Sequence, residues 1–205
     1  MSSVSQVLDD DRLSAEDRAR ANVYALIGRL FYDAPDSTLL AQICSESEAG
    51  DGAGDASALE DAWRALREAC KSAYPVAVKE EYETLFVGVG KAQVTPYTSR
   101  YVKHSAPDQH VVKLREQLDA WGLARSAGAF EVEDHISGVC DIMRFLIEEG
   151  VSLADQRVFF ESFVYPGTLP FCEAVMTAPT GGFYKQIALF AMAFFELEKI
   201  ALDMD

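Results

Sequence analysis

Helical periodicity is the feature that most narrows what this chain can become. Apolar residues return every three or four positions in one segment after another: Val23, Leu26, Ile27, Leu30 and Phe31; Leu59, Trp63, Leu66 and Cys70; Val78, Tyr82, Leu85 and Phe86. The same spacing recurs in Val111, Val112, Leu114, Leu118 and Trp121, and in Ile136, Val139, Cys140, Met143, Leu146 and Ile147. It lines one side of an α-helix, whose turn is about 3.6 residues long. Helix-start chemistry precedes these runs. Ser14 with Asp17 and Ser57 with Glu60 read as capping boxes, Asp36 can cap a short helix through Ile43, and Pro75 suits a first helical turn. No segment alternates apolar and polar residues between turn signals, so sheets are not expected, and no internal repeat is present. The expected fold is all-α, a single helical bundle of about eight or nine helices. Its last three are expected near 153–164, 168–177 and 182–202, and Asp108 is expected to open the helix before Trp121.

One domain accommodates all 205 residues. Two stretches interrupt the helical pattern. Ser45 to Ser57 is small, acidic and Gly-rich and reads as a flexible surface loop. The stretch from Gly88 to Pro107 lacks periodicity and reads as a long ordered loop, the kind that in a compact domain usually serves function.

The formal net charge of −15 repels phosphate backbones, which argues against nucleic acid as a partner. It speeds encounter with a basic peptide and also serves solubility. Cys44, Cys70, Cys140 and Cys172 form neither a CxxC pair nor a zinc knuckle and read as reduced, helix-borne thiols. The N-terminus lacks the basic start and apolar run of a secretory signal, and no apolar run is long enough to span a bilayer. A cytoplasmic protein without stable membrane insertion is expected.

Catalytic chemistry is sparse. No nucleophile elbow is present, and Gly88-Val89-Gly90-Lys91 fails as a phosphate-binding loop because Leu85 and Ala92 occupy positions that need Gly and Ser or Thr. His104 and His110, six residues apart, do not share a helix face. The segment Glu131-Val132-Glu133-Asp134-His135 gathers acids at a helix start, where they favour the helix dipole. Asp134 and His135 can also offer a ligand an acceptor and a titratable donor at a loop–helix junction. A metal site on Glu131, Asp134 and His135 is the weaker reading.

Four segments, in order along the chain, resemble the TorD/DmsD/NarJ family of molybdoenzyme maturation chaperones: RANVYALIGRLFYDAPD from Arg20, EYETLFVGVGKAQVTPYTSRY from Glu81, EVEDHISGVCDIMRFL from Glu131, and FYKQIALFAMAFFELE from Phe183. The second resembles the family's EYxxLFxGPGxxxxPPYxSxY and carries the most specific match. The resemblance implies an all-helical, cytoplasmic chaperone without turnover and without a cofactor of its own. As monomer or homodimer, it would bind the twin-arginine signal peptide or N-terminal tail of a molybdopterin enzyme's catalytic subunit. That subunit would be held until its cofactor is inserted. By motif position the peptide-binding residues are Asp134, His135, Glu131 and Glu133, with Tyr82, Phe86, Pro96, Tyr97, Ser99 and Tyr101 on the facing wall. Tyr82 and Phe86 also sit at core spacing, so Pro96-Tyr97 in the loop is the stronger part of that wall. The chain departs from the pattern at Val89-Gly90, at Thr95 before Pro96, and at Phe163 and Gly167, where relatives often carry His and Trp. The alternatives are a metal- or cofactor-dependent helical enzyme using Glu131, Asp134 and His135, or a helical assembly subunit that is not a chaperone.

Overall fold

The structure, a computed structural model, describes residues 13–45, 57–88, 91–103, 105–123 and 133–204. Among the described residues there are nine α-helices: α1 (Ala15–Tyr32), α2 (Ser37–Ser45), α3 (Ala58–Ser72), α4 (Pro75–Tyr82), α5 (Pro107–Ala120), α6 (Ile136–Glu148), α7 (Leu153–Phe159), α8 (Tyr165–Thr177) and α9 (Phe183–Met204). Two π-helical turns, Glu83–Val87 and Phe160–Val164, and one 3-10 turn, Thr98–Tyr101, complete the helical inventory. The expected all-α bundle is what forms. The sole β-type pairing among the described residues is an isolated antiparallel bridge between Tyr97 and His135.

Local chemistry sets the helix starts. The Ser14 hydroxyl accepts from the Asp17 amide at 2.9 Å. Asp36 caps α2 by accepting from the Leu39 amide at 2.8 Å. Ser57 and Glu60 close the full reciprocal capping box at α3. Each bond satisfies a backbone donor that the first turn leaves without an intrahelical partner. At α5 the order shifts by one residue from expectation. Pro107, rather than Asp108, is the first helical residue, because its fixed φ and missing N–H suit that place, and Asp108 follows it in the first turn.

The C-terminal half departs from the sequence reading more strongly. A break was expected between 164 and 168, where Pro166 and Pro170 interrupt the donor series. Instead α7 runs through the π turn at Phe160–Val164 directly into α8. The π register carries one extra residue per turn, so the Tyr165 N–H reaches the Phe160 carbonyl and the two prolines ride in a continuous rod.

The core is built where α1 lies along α6 and α9. Gly28 permits the close approach: a Cβ there would stand 3.4 Å from the Cys140 Cβ and 3.5 Å from the Ser137 carbonyl. Tyr24, Ile27, Leu30 and Phe31 of α1 are all buried, as are Val139, Cys140 and Met143 of α6 and Phe194 and Phe195 of α9. Cys70, Cys140 and Cys172 are buried free thiols and Cys44 is half-buried, so they pack as small apolar groups. Among the described residues no helix is long and apolar enough to cross a membrane.

A charged clamp closes one end of this core. Arg20 grips Glu198 with Nε at 2.8 Å and Nη2 at 3.0 Å, while the Tyr24 hydroxyl donates to the same carboxylate at 3.0 Å. Nη2 also donates to Gln156, and Nη1 to Asp17, both at 3.1 Å, so α1, α7 and α9 meet at one guanidinium. The Glu198 side chain is only 3% exposed. Glu198→Ala therefore leaves a nearly buried guanidinium and a buried phenol without their acceptor. In urea titrations it should cost about 3–5 kcal/mol, and a loss near zero would mean that the clamp is not structural.

Candidate functional site

The loop between α4 and α5 is fixed at both ends by backbone chemistry. At its start, Gly88 takes φ +64°, and a Cβ there would lie 2.5 Å from backbone atoms of Lys91 and Ala92. Val94 then donates to the Leu85 carbonyl at 2.9 Å. The Gln93 side chain exchanges two hydrogen bonds with Thr180, at 2.9 and 3.3 Å, tying the loop to the α8–α9 turn.

The other end meets the start of α6. The Thr98 amide and hydroxyl both donate to the Asp134 carbonyl, at 2.8 and 2.9 Å. The Ile136 amide donates to the Pro96 carbonyl at 2.9 Å. The Ser99 hydroxyl donates to Asp134 Oδ2 at 2.5 Å. His135 is the N-cap of α6: its Nδ1 accepts from the Ser137 amide at 3.2 Å and lies 2.6 Å from the Ser137 hydroxyl. That bond requires an unprotonated Nδ1, so the neutral ring carries its hydrogen on Nε2. The Tyr97 ring stands edge-on to the His135 ring, with centroids 5.6 Å apart.

The sequence-derived site residues thus fall into three groups. Pro96, Tyr97, Ser99, Tyr101, Glu133, Asp134 and His135 meet at this junction. Asp134 and His135 are each 4% exposed and Ser99 is 3% exposed, so these three hold the junction from inside. Pro96, Tyr97, Tyr101 and Glu133 are half-buried and reach the surface. Tyr101 donates to the Thr95 carbonyl at 2.9 Å, and burial pushes its phenol up to about 12. Glu133 receives Arg115 Nη2 at 3.1 Å, which ties the junction to α5.

Tyr82 and Phe86 form the second group: Phe86 lies in the core and the half-buried Tyr82 packs against it. Phe86 is buried among Phe31, Phe171 and Tyr184, with centroids 6.0, 6.1 and 5.2 Å away. Tyr82 packs 5.3 Å from Phe86 and donates to the Tyr32 carbonyl at 2.6 Å. Residues outside the described set make up the third: Glu131, His104, most of the Ser45–Ser57 loop, and Val89-Gly90.

The structure also shows what His110, Gly167 and Thr168 do, none of them among the site residues read from the sequence. His110 is 4% exposed, on the same α5 face as Leu114 and Leu118, and its ring packs 5.5 Å from Phe163. Its Nε2 is buried with no hydrogen-bond partner among the described residues. The i, i+4, i+8 register with Leu114 and Leu118 was the signal that it points inward. Gly167 packs against Thr98 so tightly that a Cβ would stand 2.7 Å from both the Thr98 carbonyl oxygen and Cβ. Any larger side chain there would drive the loop off α8. Thr168, fully buried beside it, has an Oγ1 without a partner.

Among the described residues no three His, Cys, Asp or Glu side chains are placed to hold a metal ion. His135 spends Nδ1 on its cap, and Asp134 spends Oδ2 on Ser99. The described chemistry is that of a hydrogen-bonded clip with an aromatic edge.

The model of the nitrate reductase delta subunit family matches residues 53–172, which contain this whole junction. A solved structure from Archaeoglobus fulgidus, of a protein described as a redox enzyme maturation protein, superposes with a TM-score of 0.50 at 22% identity. It covers 87% of this chain and 92% of that one. At that identity the likeness speaks for the fold. No curated protein matches the chain.

The buried histidine makes the junction sensitive to acid. Burial holds the His110 imidazole below its ordinary value of 6.5, with Lys113 reinforcing and the Asp134 carboxylate opposing. Below that value the unfolded chain takes up a proton that the folded ring resists. The stability contribution is therefore complete above the ordinary value and is lost as pH falls beneath it. Urea unfolding at about pH 7 and about pH 5.5 should show a smaller loss for His110→Gln than for wild type; equal losses would place the sensitivity elsewhere.

Proposed function

The chain belongs to the nitrate reductase delta subunit family, and from that premise we propose that it is a maturation chaperone for a molybdopterin oxidoreductase. It acts by capturing the twin-arginine leader or N-terminal tail of the catalytic subunit in the cytoplasm, and it holds that subunit through cofactor insertion without itself turning over a substrate.

The observation that carries this reading is the junction at Tyr97 and His135. A loop from one half of the chain is clipped to a helix start from the other, and the clip leaves Pro96 and Tyr97 at the surface with Glu133 beside them. An arginine side chain needs a carboxylate to pair with and an aromatic face to stack on: Tyr97 supplies the ring, and Glu133 would exchange its Arg115 partner for the leader's guanidinium. The apolar stretch of a leader needs a preformed apolar edge, so that little ordering cost opposes binding. Asp134, His135 and Ser99 act as positioning residues: they fix the loop's register from inside rather than meeting the peptide.

The net charge of −15 contributes at longer range by drawing in a basic segment. Affinity for such a segment should accordingly fall as salt rises. Isothermal titration with a synthetic peptide, an Arg-Arg pair followed by an apolar stretch, tests the reading. Wild type should bind it in preference to a scrambled peptide of the same composition, and Tyr97→Ala should weaken binding by roughly tenfold without loss of helicity. Equal affinity for the ordered and scrambled peptides would contradict leader recognition.

A further inference from the structure

Helix α5 meets the clip in two ways. On its exposed side Arg115 pairs with Glu133 at 3.1 Å. On its inner side lies His110, 4% exposed, with its ring 5.5 Å from Phe163 of the π turn. The buried His110 Nε2 has no hydrogen-bond partner among the described residues. A buried polar atom left in that state is costly, and native folds keep few of them.

The charged and titratable groups around this ring bear on it unequally. The Asp134 carboxylate, at the start of α6, favours the charged imidazolium, whereas Lys113 on α5 itself opposes it. His135, next to Asp134, commits Nδ1 to the Ser137 amide. In the 3-10 turn Arg100 is exposed, and the Tyr101 phenol, pushed up to about 12, stays neutral. Glu161 of the π turn pairs with Arg157 at 3.0 Å, and Glu133 is held by Arg115. Asp134 is therefore the anion that a protonated His110 would meet. The same carboxylate fastens the clip, because its Oδ2 accepts the Ser99 hydroxyl.

We propose that His110 is a positioning residue that releases the Pro96–Ser99 stretch on protonation: the imidazolium takes the Asp134 carboxylate from the Ser99 hydroxyl. That this stretch meets a leader rests on the chaperone reading; that it opens does not. In the closed clip a charged Nε2–H has no acceptor in place. Once Ser99 lets go, Asp134 supplies one, and a bond between two charged groups is stronger than the hydroxyl bond it displaces. The open clip thus holds the proton more tightly than the closed one, so acid shifts the population toward the open form. The proton comes from solvent, and no covalent bond changes. Captured leader would be let go as the surroundings acidify.

Amide spectra of the full chain without ligand, recorded by NMR from about pH 8 to about pH 5, read the opening. The Thr98 amide should titrate with the same midpoint as the His110 ring, and that midpoint should lie below the ordinary histidine value of 6.5. A Thr98 signal that follows the His135 ring, or that does not move, overturns the proposal. These spectra use wild type, so they decide the matter even where a variant does not fold. Fluorescence anisotropy with a labelled Arg-Arg leader peptide reads the consequence. Wild type should bind about fivefold more weakly at about pH 5 than at about pH 7.5, and His110→Gln should cut that ratio to less than about twofold. His135→Asn, which keeps an N-cap without a titrating ring, should retain the wild-type ratio. Equal ratios in wild type and His110→Gln would remove the role assigned to His110. If wild type does not prefer the Arg-Arg peptide over a scrambled one at neutral pH, the chaperone reading fails, while the Thr98 titration still decides whether His110 opens the clip.

Discussion

The site depends on one arrangement, the clip that fastens Pro96–Ser99 to the start of α6. It comprises the Thr98 and Ile136 main-chain bonds and the Ser99 hydroxyl on the buried Asp134 carboxylate. A hydrogen bond to a buried charge contributes more than a neutral one, and an unmet buried carboxylate is costly. The clip therefore holds a stretch without α-helical or sheet structure of its own in a single register. The half-buried Pro96 and Tyr97 are thus placed by groups buried beneath them, Ser99, Asp134 and His135.

The rest of the fold serves the same end. Gly167 lets α8 approach Thr98 from behind, and the π turn at Phe160–Val164 carries Phe163 against His110 while keeping α7 and α8 in one rod. The Arg20–Glu198 clamp anchors α9 to α1, and α1 in turn lies along α6, whose first turn is the clip. A chain so fastened holds the Pro96–Ser99 stretch in one place before any partner arrives.

Much of this was legible in the sequence. The apolar register of α1, α3 and α6, the capping boxes at Ser14 and Ser57, and the junction of the Pro96–Tyr101 segment with Asp134-His135 all follow from local spacing or from resemblance. What was not legible depended on the third dimension. The sequence placed two prolines where a helix would ordinarily end, and only the π register, set by packing of Phe159, Phe160 and Phe163, carries the rod past them. Asp134 and His135 read as ligand groups in a sequence that carries no measure of depth; the structure leaves each only 4% exposed. Phe86 shows the converse, since its core spacing was visible and the core is where it lies.

Amide hydrogen exchange at Thr98 and Ile136 in the free protein tests the clip most directly. These two N–H groups donate across the junction to Asp134 and Pro96. The account predicts that both exchange only through opening events as costly as those of the α6 core, in step with Val139 and Cys140. Exchange of Thr98 and Ile136 at the rate of an open loop, while α6 stays protected, would contradict it.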